Sequence, residues 1–213
     1  MSAGSSDRLV DTLRLAGIRD QRLLEAVRAV PRSEFVPPEC SARAYEDVPL
    51  PIPHGQVTTQ PSLSAKMIEA LALTGAERVL EIGAGYGFQT ALLAHLARQV
   101  WSVERWSDIA ATARANLARQ GIGNAQVVVG DGTLGLSEHA PYDAIVVAAA
   151  FPRVPSPLVQ QLREGGRLVQ PLGPGGQERV TLFEKQEAGL RQLALLTHAY
   201  FVRLVGVHGF TER

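Results

Sequence analysis

Gly83, Gly85 and Gly87 stand at alternate positions between the apolar run Arg78-Val79-Leu80-Glu81-Ile82 and a segment opening Phe88-Gln89-Thr90 that reads as a helix. Backbone turned on glycines can approach a ligand where a Cβ would collide, and the helix that follows offers unpaired N–H groups. That combination suits a nucleotide cofactor. The spacing here is G-x-G-x-G, whereas the dinucleotide fingerprint is G-x-G-x-x-G. Glu81 places a negative charge just before the loop, which repels a pyrophosphate and favours a cationic sulfonium or an amino-acid ammonium. S-adenosylmethionine carries both groups. Taken alone, the loop can also be read as a plain glycine turn.

Two more acids fall at strand ends. The run Val100-Trp101-Ser102-Val103-Glu104 reads as a second parallel strand, and an acid at its carboxyl end can accept hydrogen bonds from both ribose hydroxyls. A third strand, residues 125–129, runs into Gly130-Asp131-Gly132, where Asp131 at the rim suits the exocyclic amine of adenine. Either acid alone reads as a solvated loop residue or a helix cap. Glu81, Glu104 and Asp131 on three successive strand ends argue for one site. The candidate cofactor residues are therefore Glu81, Gly83, Ala84, Gly85, Gly87, Gln89, Thr90, Glu104, Arg105, Asp131 and Gly132, and the expected cofactor is S-adenosyl-L-methionine.

The elements that must position these residues follow from periodicity and punctuation. Helices are predicted over residues 7–16 and 19–30, the second capped by Asp20 with an apolar face of Leu23, Leu24, Ala26, Val27 and Val30. Pro31, Pro37, Pro38, Pro49, Pro51, Pro53 and Pro61 punctuate a long stretch that also holds Phe35, Val36, Tyr45, Val48, Leu50 and Ile52. That much apolar surface does not suit a solvated tether, so the stretch is expected to pack over the cofactor site. Helix 62–73, the strand from Arg78, helix 89–97, strand 100–104, helix 107–120 and strand 125–129 alternate as a parallel sheet requires. Strand 142–147, a helix over 157–163 closed by Gly165-Gly166, and strand 167–172 continue it; strands 179–185 and 193–205 form a hairpin-like final pair. The expected fold is α/β, a doubly wound, mostly parallel sheet of the Rossmann-like methyltransferase type with N-terminal helices and an antiparallel C-terminal strand pair. One domain is expected, with residues 1–61 as its helical and proline-rich segment and 62–213 as the sheet and C-terminal strands.

Composition narrows the partners. The 213 residues carry 21 Lys+Arg against 21 Asp+Glu, so nothing favours a polyanion and no nucleic-acid partner is expected. Lysine occurs only at Lys66 and Lys185. The single cysteine, Cys40, excludes an internal disulfide and is compatible with a reducing compartment. His54, His95, His139, His198 and His208 lack metal-ligand spacing, so no metal is expected. Residues 1–7 are small and polar, and no run is long enough to cross a bilayer. A cytoplasmic monomer without a membrane partner is the expectation.

Beyond the cofactor loop, the chain resembles the protein-L-isoaspartate O-methyltransferases over nearly its whole length. The resemblance is carried by Val30-Pro31-Arg32 with Phe35-Val36-Pro37, by Ala44-Tyr45-Glu46-Asp47-Val48-Pro49-Leu50-Pro51-Ile52, and by Gly55-Gln56-Val57-Thr58-Thr59-Gln60-Pro61, close to the family's G-Q-T-I-S-Q-P. Tyr142-Asp143-Ala144-Ile145, Ala148-Ala149-Ala150, the segment from Gly165-Gly166-Arg167 to Pro171-Leu172-Gly173, and Phe201-Val202-Arg203-Leu204-Val205 match in order. Three positions depart from the pattern. Thr59 stands where serine is usual, Ser62 where a larger tyrosine or histidine is usual, and Arg203 where proline is usual.

The resemblance implies methyl transfer to the free α-carboxylate of an L-isoaspartyl residue in damaged proteins and peptides. The ester then closes to a succinimide that hydrolyses in part to normal aspartate. No strong general base is needed, because a carboxylate with a pKa near 4 is already ionised at pH 7. By resemblance Thr59 is the residue whose hydroxyl steers the nucleophile, and Thr58, Gln60, Pro61, Ser62, Val202 and Leu204 line the acceptor site. A helix-capping role for Thr59 is the competing reading. Two other functions stay open on the sequence: methylation of a different acceptor, small molecule or RNA, and cofactor binding without catalysis.

Overall fold

A computed structural model describes residues 3–211 of the protein. Helices α1 (Ala3–Leu15) and α2 (Gln21–Ala29) open the chain. Asp20 caps α2, its side chain accepting from the backbone N–H groups of Arg22 and Leu23, so two first-turn donors are satisfied. Prolines 31, 37 and 38 cannot continue a helical ladder, and the chain passes through two 3-10 turns, Arg32–Phe35 and Pro38–Arg43. A small antiparallel hairpin follows, β1 (Leu50–Ile52) with β2 (Gln56–Thr58), Leu50 facing Thr58. Its tip turns on His54 and Gly55, both in the left-handed region at φ 60 and 66. Helix α3 (Pro61–Ala70) begins at a proline, whose fixed φ and missing N–H suit a first turn.

The main sheet is built from β3 (Arg78–Ile82), β4 (Gln99–Glu104), β5 (Ala125–Val129), β6 (Tyr142–Val147), β7 (Leu162–Leu172), β8 (Gln177–Gln186) and β9 (Gly189–Tyr200). Between them lie α4 (Phe88–Leu96), α5 (Ser107–Arg119) and α6 (Ser156–Gln161). The spatial order is β5-β4-β3-β6-β7-β8-β9, with β3 to β7 mutually parallel and β8 and β9 antiparallel to their neighbours. This is the doubly wound α/β sheet with an antiparallel C-terminal pair that the sequence implies. Strand alternation divides the core. Val79, Val100, Val127, Ala144 and Val146 join α1 to α5 in one cluster, whereas Leu80, Ile82, Trp101, Val103, Ile145 and Val147 join Leu158 of α6 in a second. The chain leaves β3 toward β4 and leaves β6 toward β7, in opposite directions along the sheet, so a crevice opens where the carboxyl ends of β3 and β6 lie side by side. No helix among the described residues is long and apolar enough to cross a membrane.

Among the boundaries that differ from the expectation, two bear on the site. The helix predicted over 157–163 stops at Gln161, because the next residues already belong to β7. Tyr142 pairs with Leu162 and Ala144 with Arg167, so the intervening residues bulge out, with Gly165 at φ 71 making the turn. The last strand ends at Tyr200 and not at Val205. The buried carboxylate of Glu178 accepts from the Phe201 N–H at 3.0 Å. Val202 and Leu204 then pair with Ala150, with Ala150 N–H donating to the Val202 carbonyl and Leu204 N–H to the Ala150 carbonyl, both at 2.8 Å. The chain is thereby carried across the carboxyl ends of the strands.

Candidate active site

A cavity of about 370 Å³ occupies the crevice. Its floor is the loop after β3. Gly83 N–H donates to the Val103 carbonyl at 2.8 Å, Gly85 N–H to a carboxylate oxygen of Glu104 at 3.0 Å, and Gly87 N–H to the Ala84 carbonyl at 2.9 Å. Gly83 and Gly87 both have φ 92, a conformation that side chains rarely adopt. Gly87 is also the N-cap of α4 and supplies no side-chain cap, so the first-turn donors of that helix are left without one. On the opposite side, a Cβ on Gly132 would come within 2.3 Å of Ile82 Cγ2, which explains a glycine there.

Of the candidate cofactor residues, Gly83, Ala84, Gly85, Gln89, Glu104, Arg105 and Gly132 line this cavity. Glu104 is the best placed of them. It is nearly buried, one carboxylate oxygen accepts from Gly85 N–H at 3.0 Å and the other from Trp106 N–H at 3.1 Å. A carboxylate has about four acceptor sites, so roughly one per oxygen is left for the two hydroxyls of a ribose. Arg105 lies over the Trp106 ring, 4.9 Å from its centre.

Glu81, Gly87, Thr90 and Asp131 do not line the cavity, which corrects their reading as direct contacts. Glu81 is fully buried and points beneath the loop, accepting from Gln89 Nε2 at 3.0 Å and from the Thr90 hydroxyl at 2.5 Å. Alternation along β3 sends its neighbours Leu80 and Ile82 to one face and therefore Glu81 to the other, toward α4. Burial pushes its carboxyl up to about 7, against the downward pull of Thr90 and Gln89. Thr90 is spent on that carboxylate, and Gly87 serves the turn. Asp131 caps the short turn Gly132–Leu134. It accepts from the Thr133 N–H at 2.8 Å, the Thr133 hydroxyl at 2.6 Å and the Val207 N–H at 2.7 Å. Partial burial raises its pKa, but these hydrogen bonds outweigh burial and hold it below the ordinary carboxylate range.

A second cavity of about 290 Å³ adjoins the first, and Val57, Thr59, Ala148 and Val202 line both. Pro49, Gln60, Leu63, Gln177, His198 and Tyr200 complete much of its wall. The hairpin β1–β2 covers the junction. His54 at its tip stacks on Trp106, with ring centres 3.9 Å apart, and its Nε2 lies 2.9 Å from a carboxylate oxygen of Asp108. Of the candidate acceptor residues, Thr58, Val202 and Leu204 line the first cavity and Gln60 and Val202 the second. Pro61 and Ser62 line neither, a further correction: Pro61 is buried at the start of α3, and Ser62 donates its N–H to Asp47 at 2.8 Å. The cap at that helix start therefore comes from Asp47. Thr59 caps nothing there, since the N-cap residue is Gln60 and its own side chain makes no cap bond.

Residues 4–209 match the family model of protein-L-isoaspartate(D-aspartate) O-methyltransferase. The chain belongs to that family. It is 50% identical over 198 residues to the protein-L-isoaspartate O-methyltransferase of Methanoculleus marisnigri, covering 93% of this chain and 90% of that relative. With the enzyme of Koribacter versatilis it shares 46% over 205 residues, 96% of this chain and 92% of the other. A solved protein-L-isoaspartate O-methyltransferase superposes with a TM-score of 0.82 at 31% identity, over 96% of this chain and 67% of that one. A Plasmodium falciparum protein crystallised with S-adenosyl-L-homocysteine shares the fold, with a TM-score of 0.77 at 23% identity over 93% of this chain and 97% of that one. In this isoaspartate O-methyltransferase family member, then, the glycine loop and the proline-rich segment are the two sides of one site.

Several residues of the site had no individual role assigned from the sequence. Ile52, Phe88, Trp106 and Ala148 line the first cavity, and Arg32 and Asp47 support its rim from behind. Trp106, which no quoted motif contains, had one usable signal: an aromatic two residues after an acid that ends a strand lies at the same strand end.

Proposed function

We propose that this chain transfers a methyl group from S-adenosylmethionine to the free α-carboxylate of L-isoaspartyl residues in proteins and peptides, the first step of a repair through succinimide. The observation that carries this reading is the pair of cavities that meet at Thr59, one beside Glu104 and the glycine loop, the other bounded by Gln60, His198 and Tyr200. Bound in the first, the cofactor supplies an electrophilic methyl group on a sulfonium; the carboxylate oxygen gives an electron pair to that carbon and the C–S pair leaves on sulfur. Glu104 would hold the ribose, and the Gly83–Gly85 backbone would accommodate the amino-acid end. Besides Thr59, the walls shared by both cavities, Val57, Ala148 and Val202, are apolar, so the junction offers the nucleophile few competing hydrogen-bond partners. Catalysis then rests on alignment and not on a general base. We take residues 1–213 to act as one domain and as a monomer.

A matched pair of peptides tests the reading. The protein should methylate the isoaspartyl peptide and ignore its aspartyl twin. The label should be released as methanol at alkaline pH, as an ester requires. Equal labelling of the two peptides, or label that survives alkali, would overturn the assignment.

Thr59 gives a sharper test of the acceptor side. Thr59→Ser keeps the hydroxyl and relieves crowding, so turnover should hold or rise. Thr59→Val keeps the branched shape but removes the donor. Turnover should fall about 10-fold or more with cofactor affinity little changed. Steady-state rates corrected for the folded fraction decide it, and a valine variant at wild-type turnover would leave positioning to the backbone of the loop.

A further inference from the structure

We propose that Arg32, which touches neither cavity, is the positioning residue of the acceptor side: its buried guanidinium holds the Thr58 hydroxyl and the Thr59 carbonyl, on either side of the Thr59 side chain, and so sets turnover. The inference rests on the reading of Thr59 given above. Arg32 is fully buried, at 0% exposure. One terminal nitrogen donates to the carbonyls of Ala44 at 2.8 Å and Glu46 at 3.1 Å. The other donates to the Val48 carbonyl at 3.1 Å, the Thr58 hydroxyl at 3.1 Å and the Thr59 carbonyl at 3.3 Å. One group thus ties the 44–48 loop to the Thr58 hydroxyl and the Thr59 carbonyl.

The ties converge on the reaction centre. Thr58 lines the first cavity and Thr59 both. The guanidinium also lies 5.7 Å from the centre of the Phe88 ring, and Phe88 is a wall of the first cavity and the first residue of α4. Asp47 completes the brace from the other side, accepting from Gln60 Nε2 at 3.0 Å and from Ser62 N–H at 2.8 Å. Arg32 therefore holds Thr58 and the Thr59 carbonyl, and Asp47 holds Gln60 and Ser62 beyond them. Burial pulls the guanidinium down to about 10 while Asp47 acts to raise it, so the group is charged at neutral pH.

Arginine is the residue that can do this. Its planar fork reaches acceptors on two sides at once, whereas a lysine ammonium offers three donors at a single point. Arg32→Lys keeps the positive charge but cannot serve both the 44–48 carbonyls and the Thr58–Thr59 pair. Glu104 is held by Gly85 and Trp106 and shares no hydrogen-bond partner with Arg32, so cofactor binding should be spared.

The test uses the whole chain and three variants: Arg32→Lys, Thr59→Val and the double variant. For Arg32→Lys, turnover on the isoaspartyl peptide per folded molecule should fall about 10-fold or more. The dissociation constant for S-adenosylhomocysteine, read by calorimetry, should stay within about two-fold. The double variant should be no slower than the slower single, because both changes spoil the same hydroxyl. Wild-type turnover in folded Arg32→Lys, a parallel loss of cofactor affinity, or losses that multiply in the double variant would each overturn the proposal. If Arg32→Lys does not fold, Thr58→Val removes one acceptor of the clamp; turnover should then drop several-fold at unchanged cofactor affinity, and unchanged turnover overturns it. A wild-type protein inert on both peptides would sink the functional reading instead. Hydrogen exchange then judges the clamp directly, through lost protection of the β1–β2 hairpin amides that the clamp anchors at Thr58 in Arg32→Lys; unchanged protection overturns it.

Discussion

Replacing Glu104 by alanine should weaken S-adenosylhomocysteine binding by about 1.5–3 kcal/mol, the loss expected for hydrogen bonds to a charged acceptor. That is roughly 10- to 150-fold in dissociation constant. Gly85 and Trp106 would also lose the carboxylate that fixes their N–H groups at 3.0 and 3.1 Å, so the loop and the Trp106 wall relax together. Glu104→Gln separates the two contributions. Its amide retains one acceptor oxygen and should fall between wild type and alanine. Calorimetry on folded variants gives the answer directly, and an alanine variant with wild-type affinity would remove Glu104 from the site. The cofactor loop would then need a different anchor.

Glu104 was legible in the sequence because its placement is local. A strand ends, an acid follows, and parallel neighbours bring it beside the glycine turn. Local reasoning reached its limit at Asp131. It stands at a strand end as expected, but its carboxylate also accepts from Val207, 76 residues further on, in a segment beyond the last strand expected from the sequence. Glu81 was legible as an acid beside the loop, yet the period-two alternation of β3, with Leu80 and Ile82 in the other cluster, directs it beneath the loop and toward α4. Arg32 was visible only as part of a motif. Its acceptors lie 12 to 27 residues away, at the end of β2 and in irregular chain, and no periodicity reports such a hub. The proline stretch could be read as packed because it was too apolar to be solvated. Its hairpin and the His54–Trp106 stack depend on a left-handed tip that the sequence does not specify by pattern.

The largest pH effect on stability should come from Glu81. Its carboxyl moves from an ordinary 4.5 to about 7 on folding, because burial disfavours the charge more than Thr90 and Gln89 favour it. Between those two values the folded protein binds more protons than the unfolded chain, so stability falls as pH rises. The contribution is fully present below about pH 4.5 and is lost once pH passes about 7, a difference on the order of 3 kcal/mol at about 1.4 kcal/mol per unit. Asp131 and Glu77 have depressed values and act in the opposite sense, losing stability as pH falls through the acid range, so the windows separate. Glu81→Gln should abolish the decline between pH 4.5 and 7 and melt above wild type at pH 8. The amide can be accommodated because Gln89 Oε1 is buried without a partner; turning the Gln89 amide over lets that oxygen accept from the new side chain. Thermal melts from pH 4 to 8 on both proteins decide it. If wild type and variant run parallel across the range, Glu81 is ionised in the fold at neutral pH without a stability cost, and its hydrogen bonds to Thr90 and Gln89 offset its burial in full.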